Sequence, residues 1–266
     1  MKIIRYQDPQ GEIGYAAEQA AGSFARIQGD IFGRYQVTSQ SARVAKRLAP
    51  VVPPMNWCIG LNYRQHTAEV NLALPEYPVV FAKGPNCVQN PGDPILMPRH
   101  ARSVEIDYEG ELVVVIGKLC RNVSRADALS YVAGYTCGND VSSRDWQLKM
   151  GGSQWCRGKS FDTFAPLGPV LVTPDSLPNP GALHLQTVLN GQVVQDASTG
   201  DMIFDVPTLI EFLSQNTTLL PGTVIMTGTP AGVGVGRKPP LWLKPGDEVS
   251  VTIEGIGTLT NPVRDP

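Results

Sequence analysis

Asp107, Glu109 and Glu111 occupy every second position of VEIDYEGELVVVIG, and Leu112 to Ile116 follow them as a continuous apolar run. Side chains of a strand alternate between its faces, so one strand through this segment projects all three carboxylates from one side and Tyr108, Gly110 and Leu112 from the other. A run that is apolar at every position is a strand covered on both faces, which puts the acidic end at the rim of a buried sheet. Carboxylates this close repel. A divalent cation bound by oxygen alone, Mg²⁺, Mn²⁺ or Ca²⁺, would neutralise them, whereas an isolated E-x-E is more commonly a solvated strand face.

Glycine and proline, 27 and 23 of 266 residues, are spread along the chain. That distribution predicts many short strands joined by tight turns, a mainly β or α+β architecture with peripheral helices. The five cysteines are odd in number and contain no C-x-x-C pair, which argues against a disulfide framework or a thiolate zinc site and for reduced thiols in the cytoplasm. A formal net charge of −2 without blocks of like charge excludes an electrostatic footprint for nucleic acid or an anionic membrane. The expected partner is a small molecule. MKIIRYQDPQG carries Lys2 and Arg5 before the Asp8-Pro9 break and leaves no room for a signal-peptide core, and no apolar run is long enough to span a bilayer.

Residues 1–52 read as a small N-terminal domain, with Lys2–Tyr6 and Ile13–Ala17 pairing across DPQG and a helical spacing of Ala42, Val44, Ala45 and Leu48. Pro50, Pro53 and Pro54 mark the boundary to a larger domain, 53–266. There MNWCIGL and VVFAK (79–83) are strands, and NYRQHTAEV is a short helix that sets His66 and Glu69 on one face. Ser124 is positioned to cap a helix through Tyr131, and GYTCGND runs as a strand toward Asp140. Asn190-Gly191 marks a hairpin, Asp205 with Pro207 opens a helix through Phe212, and VIM leads from a buried strand into a glycine-rich loop. EVSVTIEG and GTLTNPV complete the strands.

GVGVG at 232–236 is not a dinucleotide fingerprint, because Arg237-Lys238-Pro239-Pro240 forbids the helix that would have to follow. G-K-[ST], G-x-S-x-G and H-E-x-x-H are absent. Asp140 reads alone as a cap, Arg144 as a salt bridge, Lys159 as a solvated charge and His66 as a structural hydrogen bond. Together they become informative. In order, GLNYRQHTAE, DYEGELVVVIGK, GYTCGNDVSSRDWQ, GKSFDTFAPLGP, VLNGQVVQ, TGTPAGVG and LKPGDEVSVTIEGIGTLTNPV resemble the fumarylacetoacetate hydrolase superfamily over residues 55–263.

That resemblance implies a rolled mixed β-sheet catalytic domain, a small N-terminal domain and a homodimer. It implies Glu109, Glu111 and Asp140 as ligands of Mg²⁺ or Mn²⁺, with Asp107 a hydrogen-bonding neighbour. His66 oriented by Glu69 becomes the general base, Lys159 the stabiliser of an oxyanion, Gln147 the residue that orients water or substrate, and Arg144 and Thr229 supports for the pocket and a substrate carboxylate. Two departures from the namesake enzyme stand out. Cys58-Ile59-Gly60-Leu61 lacks its additional aspartate ligand, leaving that position to water, and the acidic partner of the histidine comes from H-x-x-E as in the smaller members. RKPPLWLKPGD resembles the branch related to fumarylacetoacetate hydrolase domain-containing protein 2, which implies tautomerisation of oxaloacetate.

A 2-oxo acid can chelate such a metal, and the enolate so stabilised serves several reactions. The first expectation is hydrolysis or decarboxylation that cleaves a C–C bond of an acylpyruvate-type acid. The alternative is keto–enol tautomerisation or isomerisation of 2-oxo dicarboxylic acids such as oxaloacetate or hydroxymuconate-type dioates, and a non-enzymatic metal-stabilised binding protein would leave His66, Glu69 and Lys159 without a purpose. Specificity is expected in the 70–78 and 148–157 loops.

Overall fold

The buried strand Gly110–Ile116 organises the molecule. The computed structural model describes residues 1–152 and 154–266. Leu112, Val114 and Ile116 enter one hydrophobic core with Tyr135, Val170 and Ile225, while Val113 and Val115 enter another with Cys58, Phe81, Leu167 and Met226. Apolar residues at both parities therefore bury both faces. The strand lies inside a twelve-stranded sheet. On one side it pairs antiparallel with Val132–Asn139 and on the other with Val224–Met226, beyond which come Asn56–Gly60 and Val79–Lys83. The parallel pairing of Val224–Met226 with Asn56–Gly60 makes the sheet mixed. A second sheet of five strands carries His184–Leu189, Glu248–Ile253 and Gly257–Arg264, and helices are few and short, giving a mixed α+β architecture dominated by strands.

Lys2–Gln7 pairs with Ile13–Glu18 across the DPQG turn and, on its other side, with Ala165–Val172, so the sheet continues across the Pro50–Pro54 segment. Asn190 and Gly191, both at positive φ, join His184–Leu189 to Gln192–Ser198 as the hairpin signal requires. Asp205 accepts from the Thr208 N–H at 2.9 Å and caps the helix Val206–Ser214, two residues longer than expected.

Three local expectations are corrected. The helical spacing at 42–48 is not used: Tyr35–Ser41 and Lys46–Leu48 are strands, the latter pairing with Arg5–Gln7, and Ala42 and Val44 pack on the core from alternate positions. Backbone hydrogen bonds offered by a neighbouring strand override a weak helical pattern. Ser124 does not start a helix. Its hydroxyl donates to Asp127 at 2.7 Å, closing a local turn that competes with helix formation, and only the 3₁₀ turn Ala128–Tyr131 follows. The acidic segment is also not one strand. Ile106–Asp107 pairs with Ser142–Ser143, Gly110–Ile116 joins the large sheet, and Tyr108 and Glu109 form the break between them.

Candidate active site

Sheet register assembles the acidic cluster. Gly110 pairs with Asn139 and Glu111 with Gly138, so the end of Val132–Asn139 delivers Asp140 beside the acidic segment, and the Asp140 N–H donates to the Glu109 carbonyl at 2.8 Å. Carboxylate oxygens of Glu109, Glu111 and Asp140 lie within 4.8 Å of one another, all buried. Three cations enter the same volume. Lys159 Nζ donates to Glu109 Oε2 at 2.7 Å and Asp140 Oδ2 at 2.8 Å, with the Phe81 ring 5.0 Å away on another side. Arg144 bridges Asp107 Oδ2 at 2.9 Å and Glu109 Oε1 at 2.6 Å, and donates to Gln147 Oε1 at 2.9 Å. Lys83, from the strand Val79–Lys83, reaches Asp140 Oδ1 at 2.5 Å and the Val141 carbonyl at 3.0 Å.

The short helix Cys156–Lys159 presents Lys159, and Gly158 permits its close approach. A Cβ at Gly158 would lie 2.5 Å from the Gln147 nitrogen and 2.8 Å from the Ser143 carbonyl oxygen, so any side chain there would push Lys159 out of the cluster. Burial pulls the Lys159 ammonium down in pKa, but attraction from Asp140 and Glu109 outweighs it and the net direction is upward. Lys159 is therefore a stable cation. Burial acts against the Glu109 carboxylate, yet Lys159 and Arg144 hold it below its ordinary range. Glu111 moves the other way. Burial raises it, repulsion from Asp140 and Glu109 raises it further, and the Gly228 N–H at 2.9 Å is its one hydrogen-bond partner among the described residues.

Four carboxylates, Asp107, Glu109, Glu111 and Asp140, thus face three cations, and among the described residues Glu111 is the one of the four without an ion-pair partner. A buried charge left in this state favours either protonation or a bound cation. Clustered, all-oxygen donors suit a hard divalent ion.

The second part of the site is the helix Arg64–Glu69. Leu61, at φ +55°, turns the chain out of Asn56–Gly60, and buried Asn62 clamps the turn by donating to the Phe204 and Thr227 carbonyls and accepting from the Phe204 N–H. Asp201 accepts from the Gln65 N–H at the helix start. His66 Nδ1 then meets Glu69 Oε2 at 3.1 Å, and Glu69 Oε1 accepts from the Gly232 N–H at 2.9 Å. With Nδ1 donating to Glu69, Nε2 is the nitrogen left to take a proton.

One cavity of about 440 Å³ joins the two parts, lined by His66, Glu69, Glu109, Arg144, Gln147, Lys159 and Thr229. Glu111 and Asp140 are buried and are not among its lining residues. The Gln147 amide oxygen is held by Arg144, while Thr229 is tied to the Gly110 carbonyl and to Gln195. Asp107 accepts from Arg144 and from the N–H groups of Tyr108, Gly234 and Val235. Both loops expected to set specificity reach the cavity, through Val70 and Leu72 and through Leu148 and Trp155, with Ser153 outside the described residues. Sequence reasoning missed Lys83, Asn62 and Asp201. A lysine closing the apolar strand VVFAK was the only available signal, since the clamps act through backbone groups distant in sequence.

The fold and this site together define a class, strand-dominated proteins in which a buried acidic cluster and a histidine–glutamate pair meet at one cavity. Residues 56–264 match the fumarylacetoacetate (FAA) hydrolase C-terminal family model, and the chain belongs to the fumarylacetoacetate hydrolase family of enzymes. It is 48% identical over 217 residues to human oxaloacetate tautomerase FAHD2A, mitochondrial, covering 81% of this chain and 68% of the human one. A solved 5-carboxymethyl-2-hydroxymuconate delta-isomerase from Mycobacterium smegmatis aligns over 100% of both chains at 40% identity, with a TM-score of 0.87. A fumarylacetoacetate hydrolase from Exiguobacterium antarcticum aligns equally completely at 37% identity, with a TM-score of 0.89.

Proposed function

We propose that this protein is a divalent-metal-dependent keto–enol tautomerase or isomerase of 2-oxo dicarboxylic acids, of the oxaloacetate or hydroxymuconate type. The observation that carries this reading is that the His66–Glu69 pair and the Lys159 ammonium open onto the same cavity as Glu109. Relatives named for tautomerisation and isomerisation move proton transfer ahead of C–C hydrolysis or decarboxylation, the first expectation from the sequence.

Tautomerisation requires a proton to leave one atom of the substrate and return to another. His66 Nε2 accepts and returns it, while Glu69 holds the ring and stabilises the imidazolium. Lys159, kept protonated by its carboxylate neighbours, donates to the oxygen on which negative charge develops. The Gln147 NH₂ orients the substrate, and Arg144 and Thr229 support the cavity wall and a substrate carboxylate. Glu109, Glu111 and Asp140 would hold Mg²⁺ or Mn²⁺, which when bound supplies Lewis-acid stabilisation of that charge.

Hydrolysis is the second reading, favoured by the structural match to a fumarylacetoacetate hydrolase. There the same base would deprotonate a water for attack on a γ-carbonyl. Incubating the enol of oxaloacetate with protein and Mg²⁺ separates the two: loss of enol absorbance without pyruvate or CO₂ supports tautomerisation, and release of either in step with turnover replaces it by cleavage. Undiminished activity in EDTA would remove the metal from the proposal.

We further propose a homodimer with residues 1–52 as a small N-terminal domain, on the strength of the family resemblance. No helix among the described residues is long and apolar enough to cross a membrane. The cytoplasm is the proposed compartment, the human relative is named as mitochondrial, and cell fractionation decides between them.

A further inference from the structure

Among the described residues, one cation on the cavity wall has no ion pair or side-chain hydrogen bond to the protein. Arg144 and Lys159 are already ion-paired with Asp107, Glu109 and Asp140, and Arg144 also holds Gln147. Arg237, also on the wall, donates through Nε to the Tyr108 hydroxyl at 3.1 Å and through Nη2 to the Val194 carbonyl at 2.6 Å. Lys238 lines the same cavity from an exposed position at its rim, with no ion pair or side-chain hydrogen bond among the described residues. Its backbone is nevertheless fixed. Anchored Arg237 precedes it, Pro239 and Pro240 follow, and the preceding turn Gly234–Gly236 packs so closely on Glu69 that a Cβ at Gly236 would stand 2.6 Å from Glu69 Cδ. Lys238 is thus an exposed ammonium on a stem rooted at a set place relative to the His66–Glu69 pair. Leu72, Leu148 and Trp155 line the wall as well, a surface suited to carbon rather than charge.

We propose that Lys238 selects dicarboxylates by pairing with the substrate carboxylate remote from the reacting 2-oxo group. The assignment rests on the reading that the substrate is a 2-oxo acid, whose reacting end faces Glu109 and Lys159. An acid with a second carboxylate gains an ion pair at the rim; one with a neutral end does not.

The test compares the enols of oxaloacetate and of its 4-methyl ester, which keeps the reacting end and removes the remote charge, at saturating Mg²⁺. Lys238→Met should raise KM for the dicarboxylate about tenfold, a change of about 1.4 kcal/mol, with little effect on kcat and a much smaller effect on the ester. Lys238→Arg should restore most of the preference, Lys238→Glu should invert it, and added salt should narrow it in the wild type. Retention of the wild-type preference in Lys238→Met, or an equal loss on both substrates, overturns the assignment. A wild type that consumes neither enol refutes the underlying functional reading and takes the assignment with it, an outcome distinct from the other two.

Discussion

The two ends of the acidic segment carry the same functional group, equally buried, in opposite states of completion. Asp107 receives three backbone N–H groups and the Arg144 guanidinium. Glu111, four residues on, receives the Gly228 N–H alone among the described residues. Burial pushes both carboxyls up; at Asp107 Arg144 and the backbone donors oppose it and the carboxyl stays only raised, whereas at Glu111 Asp140 and Glu109 add to it and the carboxyl lies well above its ordinary range. A carboxylate finished by its own chain is a structural joint, here tying the glycine-rich loop to the strand break. A carboxylate left short of positive charge has a use for a ligand.

Substituting the unfinished end should have the largest effect. Glu111→Gln removes an anionic donor, should weaken Mg²⁺ or Mn²⁺ binding measured by calorimetry, and should cut turnover by roughly three orders of magnitude, since the Lewis acid supplies several kcal/mol. Thermal stability of the metal-free protein should not fall. Metal affinity equal to wild type would erase the distinction between the two ends.

His66→Ala tests the base apart from the cation site. Turnover should drop by about two to four orders of magnitude, the range for a general base, while metal affinity persists because the carboxylate cluster is intact. If turnover survives, the His66–Glu69 pair is structural.

At the finished end the signature reverses. Asp107→Asn removes one of the two carboxylates paired with buried Arg144, Glu109 being the other, and weakens the bonds from three backbone N–H groups, so it should cost about 1–3 kcal/mol in urea unfolding. Metal affinity should change less than in Glu111→Gln. A loss below about 1 kcal/mol, the scale of an exposed pair, would mean that Asp107 is no joint at all.

How much of this was legible depends on the range of the forces involved. The buried strand, the 190–191 hairpin and the Asp205 cap are local, decided by alternation and turn chemistry within a few residues, and the sequence shows them. The His66–Glu69 pairing is legible for the same reason, being one helical turn. The strand break at Tyr108–Glu109 is not, because it arises from Ser142–Ser143 and the glycine-rich loop competing for the Asp107 end. Lys83 was hidden inside an apolar strand, and its partner Asp140 is 57 residues away. Ala42 to Leu48 misled because helical spacing and edge-strand pairing draw on the same few apolar residues.

The smallest effect expected is a dependence of stability on pH that is strongest at the unfinished end. A carboxyl whose folded pKa is raised holds its proton more tightly in the folded state, so its contribution is complete below the unfolded value of about 4.5 and is lost as pH rises through the folded value. Glu109, lowered on folding, has the opposite sign: its contribution is present above 4.5 and fades only in acid. As pH rises above the unfolded value in EDTA, wild-type Tm should therefore decline more steeply than that of Glu111→Gln, which has no such proton to lose. Saturating Mg²⁺ should remove the excess slope, because a cation on the cluster favours the ionised carboxylate in the folded state. Equal slopes in EDTA would mean that Glu111 is compensated without a metal, and the contrast between it and Asp107 would disappear.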